Sequence, residues 1–455
     1  MRRPRTAGVL LAAGIAACTF SREVSVHPHQ LLKPLPGGLV NSVNMDEQLR
    51  KGLITEVLEY LAGPGGKSVE STRGARVAGR ALLERGDFAG ALPYLERAHA
   101  EEGRLQERAE TAWSAAQAYY WLGRFEESAR WVRTARAEGL LIPEGWVAFL
   151  ESAGAEPLYG GAKEGARLVL KMEYGRPRIP RLLVRLNDRE TDAMVLDTGA
   201  SLSLLTESAA TRLGVSRVEG AVASATGLHQ GEIPMGFGWA KTVRLGDLTI
   251  EHVPFGILPD DALTFGTSGT PYRFDGVLGV HFLKELDWLI AYEARQVRAV
   301  RLPATIRRGS RVQNVFFRRL KPMVRTSMNQ EPWFLFLLDT GSEPTMLTRS
   351  GIQRAHLFRG EATYPMTLEG IGQSRVSWGK LSKVTIGVEK YMVRFADIIV
   401  KEEGDGIEDG VIGSSFLGSF DVTIRFSTMT VSLERPVDRR LREESEAAEG
   451  RPSPF

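Results

Sequence analysis

The chain has 455 residues, 43% of them apolar and 25% charged, which is ordinary globular composition and enough material for two or three domains. Its formal net charge of +3 is matched by Arg2, Arg3 and Arg5 alone (3 − 3 = 0 for the remainder), so composition gives no case for nucleic-acid binding. One cysteine, Cys18, excludes an internal disulfide.

Those arginines precede an apolar stretch, Ala7 to Ala17, too short to span a bilayer as a mature helix and suited to a secretory signal peptide. It closes on Ile15-Ala16-Ala17-Cys18. Apolar, small, small, Cys resembles the lipobox of bacterial lipoproteins. The resemblance implies a signal peptide over residues 1–17, acylation of Cys18 and a lipid-anchored protein of the bacterial cell envelope. Thr19 is not the aspartate associated with inner-membrane retention in enteric bacteria, so the outer membrane is preferred. A cleaved signal carrying a chance cysteine is the alternative. Residues 18–45, with Pro28, Pro34, Pro36 and Gly37-Gly38, read as a linker. His27 and His29 lie there without further ligands and are assigned no metal.

From 46 to 155 the pattern is helical and alanine-rich. Gly86-Asp87-Phe88 with Ala91, Leu92, Leu95 and Ala98 recurs 37 residues on (123 − 86) as Gly123-Arg124-Phe125 with Ser128, Ala129, Val132 and Ala135. Small residues where helices touch, with a glycine at the turn, resemble tetratricopeptide repeats. So short an array is open to two readings, a cradle for a protein partner or a helical layer packed on the next domain. Gly63 to Ser68 is similar to a phosphate-binding loop, but Leu61 stands where its leading glycine belongs and the preceding segment reads as helix. An inter-helix turn is expected, and no nucleotide.

After Gly160-Gly161 short alternating apolar segments bounded by Gly, Pro and Asp predict an all-β region in two lobes, 165–305 and 306–435, followed by a disordered charged tail, 436–455. Asp-Thr-Gly ends an apolar run twice, at Asp197-Thr198-Gly199 and Asp339-Thr340-Gly341. Asp275-Gly-Val-Leu-Gly279 is echoed by Asp409-Gly-Val-Ile-Gly413, and Asp287 by Asp421 at an equal distance of 12 (287 − 275; 421 − 409).

These doubled motifs resemble the signatures of aspartic proteases over roughly residues 165 to 435. The resemblance implies a bilobal all-β protease fold with catalytic Asp197 and Asp339, one from each lobe, hydrolysing peptide bonds. It implies that Thr198 and Thr340 hydrogen-bond across the lobe interface, that Gly199, Gly341 and Ser342 support the active-site loops, and that the second-block glycines Gly279 and Gly413 permit close backbone approach. The compact spacing is closer to retropepsin-like lobes than to pepsin halves, with both lobes in one chain. No flap tyrosine is apparent; Thr226, Gly227, Phe237 and Trp239 are flap candidates in lobe one, and Gly370, Ile371 and Gly372 in lobe two, with the aromatics open equally to a reading as core. Glu343-Pro344 departs from the small or hydroxyl residue usual after Ser342.

Two adjacent carboxyls cannot both ionise cheaply, so the pair shares a proton and can activate water with no metal or cofactor. Ser342 offers a hydroxyl beside Asp339 where lobe one has Ala200, which predicts that Asp339 ionises first. No His-Glu-x-x-His, paired-cysteine or Gly-x-Ser-x-Gly motif supports another reaction class, and His281 reads as structural. The short connection around Pro303 to Gly309 favours pairing of the lobes within one chain, hence a monomer. Sites shared between two molecules are the enzymatic alternative. An inactive, peptide- or protein-binding envelope lipoprotein using the helical module is the non-enzymatic one.

Overall fold

Apolar segments spaced for helix, then for strand, fold here as a helical region and a β-rich region that share their cores. The computed structural model describes residues 22–26, 40–63, 65–173, 178–226, 232–265, 272–303, 313–357, 362–366, 376–401 and 408–440. The expectations for Cys18, Gly227, Gly370, Ile371, Gly372 and the signal peptide lie outside them.

Seven α-helices run from Met45–Arg50 to Glu144–Glu151. Each local start has a reason in its residues: Ser71 caps Thr72–Arg85 by accepting the Gly74 N–H at 3.0 Å, and Asp87 caps Phe88–Glu101 by accepting that of Gly90 at 3.1 Å. The 37-residue echo corresponds to the helices Phe88–Glu101 and Phe125–Ala137, each the second of an antiparallel hairpin. Gly63 to Ser68 forms the expected connection between Ile54–Ala62 and Thr72–Arg85, with a 3-10 turn from Gly66.

The β-rich region contains two large sheets built on one plan, with a two-stranded ribbon of Thr264–Phe265 and Tyr272–Arg273. In lobe one the strand Arg189–Leu196 runs parallel to Gly276–Leu278, with Met194 opposite Gly276 and Leu196 opposite Leu278. In lobe two Glu331–Leu338 runs parallel to Gly410–Ile412, with Phe336 opposite Gly410 and Leu338 opposite Ile412. A constant offset of 142 residues relates Pro180 to Pro322, Asn187 to Asn329, Asp197 to Asp339, Thr206 to Thr348 and Arg212 to Arg354. Thr206 and Thr348 cap equivalent short helices, and Arg212 and Arg354 pair with the equivalent carboxylates of Asp275 and Asp409.

Chain order and spatial order diverge at three places. The strands Asp421–Arg425 and Thr430–Glu434, expected within lobe two, extend the sheet of lobe one: Ile290 lies opposite Val422 and Trp288 opposite Ile424. The chain thus returns from lobe two to pair into the sheet of lobe one. Within the expected linker, Arg22–Val26 is a strand, antiparallel to Tyr391–Lys401 with Val24 opposite Val393. That edge had unpaired N–H and C=O groups to satisfy, and local composition carries no sign of so distant a partner. The tail expected to be disordered from 436 begins as helical turn instead, because Arg439 is buried and pairs with the buried Asp421.

The helical region packs on both lobes. Against lobe two, Met45, Leu49, Ile54, Val57, Val77 and Ala81 join Phe316, Met323, Leu335 and Leu337 in one apolar cluster. Arg318 reaches the Leu49 carbonyl and Glu84 at 2.8 and 3.0 Å, and Arg325 meets Glu56 at 3.3 Å. Against lobe one, His281 Nε2 donates to the Tyr120 carbonyl at 2.8 Å and Nδ1 meets the Tyr159 hydroxyl. Trp121 touches both lobes, its ring centroid 5.4 Å from that of His281 and 4.6 Å from that of Phe317.

Candidate active site

Asp197 and Asp339 follow immediately on the two parallel-paired strands, and each is fixed by its own lobe. Asp197 N–H donates to the Leu278 carbonyl at 3.0 Å, and Asp339 N–H to that of Ile412 at 3.1 Å. The second blocks then hold the catalytic-type loops from beneath: Val280 N–H donates to the Ala200 carbonyl and Ser414 N–H to the Ser342 carbonyl, both at 2.8 Å. A Cβ on Gly279 would stand 2.3 Å from the Leu202 carbonyl oxygen, and one on Gly413 2.4 Å from that of Pro344, so only glycine allows these crossings.

The two loops meet across a pseudo-twofold axis. Thr198 and Thr340 each donate a backbone N–H to the other's hydroxyl at 3.1 Å, and their hydroxyls donate to the Leu338 and Leu196 carbonyls at 2.6 Å. Each glycine of the pair faces the opposite carboxyl. A Cβ on Gly199 would lie 2.5 Å from Asp339 Cγ, and one on Gly341 2.4 Å from Asp197 Cγ. Both aspartates are buried, and their carboxyls interact directly.

Their electrostatics are unequal. Burial raises the pKa of Asp197, opposed by the Gly199 and Ala200 N–H groups, which donate to its Oδ1 at 2.7 and 3.2 Å. Asp339 is pushed well above the ordinary carboxylate range, first by burial and then by the charge of Asp197, and its Oδ1 is buried without a hydrogen-bond partner. The hydrogen bond from Ser342 that would favour the charged form of Asp339 is absent among the described residues. The hydroxyl of Ser342 donates instead to the Pro344 carbonyl at 3.0 Å, so the Glu343-Pro344 departure draws it away from Asp339.

The flap expectations divide. Thr226 ends the strand Ser216–Thr226, paired with Glu232. Phe237 and Trp239 do not line a cleft: Phe149 stacks on Phe237 with centroids 4.3 Å apart, and Trp239 donates to Ser152 Oγ at 2.9 Å. The helix Glu144–Glu151 has claimed both aromatics, a contact invisible in strand periodicity. Arg212 and Arg354 were not singled out by motif; the offset of 142 residues was the signal that could have found them.

Residues 182–282 match a family model described as aspartyl protease. This segment of the β-rich region is aspartic protease-like. The match covers lobe one with Asp197 and Gly279, and lobe two joins it through the duplicated plan above. Among solved structures, matches include the crystal structure of an aspartic proteinase from Irpex lacteus, at 12% identity and a TM-score of 0.37 over 59% of this chain and 97% of that one. That likeness is too remote to add to the geometry. A comparison with curated proteins found no match.

Proposed function

We propose that the chain is an aspartic endopeptidase whose single active site is shared between its two lobes. The observation that carries the reading is the reciprocal placement of two buried carboxyls, each packed against the other lobe's glycine. A pair that holds one proton between two pKa values offers a base and an acid at once. Asp197, whose charge is supported by two N–H groups, takes a proton from water. Asp339, protonated, donates to the scissile carbonyl. Water adds to that carbonyl, giving a tetrahedral diol; collapse with proton transfer to the amine breaks the C–N bond and restores the shared proton.

The fixed loops supply positioning, since the threonine lattice leaves the carboxyls little freedom to drift. The lipobox-like leader supports work at the bacterial cell envelope on peptides or proteins. Incubation with a proteome-derived peptide mixture tests the reading, alongside a peptide analogue carrying a tetrahedral hydroxyl carbon in place of the scissile carbonyl. Cleavage that the analogue blocks is expected; cleavage indifferent to it, or none from pH 3 to 8, would overturn the proposal.

A further inference from the structure

The two carboxyls face different neighbours across the strands that lead to them. In lobe one Arg181 lies opposite Val195, and the ladder continues as Leu196 N–H donates to the Pro180 carbonyl at 3.0 Å. One step further sets Ile179 opposite Asp197. In lobe two Met323 lies opposite Leu337, and the same register carried two residues on sets Lys321 opposite Asp339. The equivalence is independent of that extension, because Pro180 and Pro322 share the 142-residue offset of the aspartates (322 − 180; 339 − 197). Residues opposed in this way have Cβ atoms about 5 Å apart.

Ile179 is buried in the apolar core, whereas Lys321 is half-buried and has no ion-pair partner among the described residues. Its charge reaches both carboxyls, lowering the pKa of each against the effect of burial. A dyad that shares one proton carries one negative charge over four oxygens, so the ammonium, with three donors, retains capacity for a further anion. A half-desolvated lysine with spare donors beside a reacting centre is a recognition group for carboxylate.

We propose that Lys321 is a specificity-determining residue, selecting substrates with an Asp or Glu side chain beside the scissile bond on the lobe-two side. On the lobe-one side the equivalent position is Ile179, which offers no charge, so the acidic preference is confined to one side of the bond. This deepens the peptidase reading and rests on it for the location of the scissile bond.

The test uses two non-cleavable peptides that differ only in Glu or Gln beside a reduced, methylene-amine bond, titrated calorimetrically into the full chain and into its Lys321→Leu and Lys321→Arg variants. The Glu peptide is expected to bind the parent about tenfold more tightly. That preference should vanish in Lys321→Leu and persist in Lys321→Arg. Equal affinities in the parent, a preference surviving in Lys321→Leu, or binding of neither peptide overturns the proposal. The amide forms of the same peptides separate the two readings. Selective binding without cleavage of either would sink the peptidase and leave the carboxylate site, while cleavage with no acidic preference would do the reverse.

Discussion

Thr198 and Thr340 hold one another across the lobe interface, the N–H of each donating to the hydroxyl of the other at 3.1 Å. Both are buried, so neither hydroxyl can turn to water if its partner is lost. The lattice makes the position of each aspartate a property of both lobes, which is why the lobes function as one unit under this account.

Thr340→Val keeps the shape and removes that hydroxyl. It leaves the Thr198 N–H and the Leu196 carbonyl without a partner, at a cost of about 1–3 kcal/mol for an orphaned buried group. A lowered melting temperature is expected, with a fall in kcat measured well below that temperature, and Thr340→Ser should restore both. Unchanged kcat in the valine variant would show that the lattice does not position the dyad.

The glycines beside the aspartates admit no side chain. Gly341→Ala would bring a Cβ within 2.4 Å of Asp197 Cγ, and Gly199→Ala within 2.5 Å of Asp339 Cγ. Contacts this short force the carboxyls apart, so peptide cleavage should fall by at least about a hundredfold in either variant while the far-ultraviolet circular dichroism stays native. Near-parental turnover in both would mean that the carboxyl spacing is not critical.

The pH response of stability follows from the direction of the Asp339 shift. Its folded pKa lies well above the unfolded value of about 4, so its contribution is fully present below that value and lost as pH rises through the folded pKa. Asp339→Asn removes the charge that burial penalises. Denaturant titration should therefore show the variant more stable than the parent at pH 8 and little different at pH 3. A variant less stable than its parent at pH 8 would contradict the assignment.

The helical region braces the β-rich one. Trp121 is fully buried among His281, Phe317 and Phe88, and Trp121→Ala should cost about 3–5 kcal/mol by opening a cavity between the helices and both lobes. Thermal unfolding should shift down as one transition for helices and sheets together. Two separated transitions, with only the helical one displaced, would show that the brace is not coupled to the lobes.

Sequence made much of this architecture legible because its motifs are local and repeated: the apolar runs into Asp197 and Asp339, the Gly279 and Gly413 blocks, and the 37-residue helical echo. What escaped depends on partners remote in the chain. Arg22–Val26 is a strand only because the edge at Val393 is open to it, and Phe237 and Trp239 are core only because Phe149 covers them. The role of Ser342 turned on a rotamer, its hydroxyl choosing the Pro344 carbonyl over Asp339. No periodicity reports such a choice.

The central claim is one composite site per chain, and the most direct measurement compares peptide cleavage by the parent, Asp197→Asn, Asp339→Asn and an equimolar mixture of the two variants across pH 3 to 8. The account predicts cleavage by the parent alone, with both single variants and their mixture inactive. Activity surviving in either variant, or restored by mixing them, would contradict it.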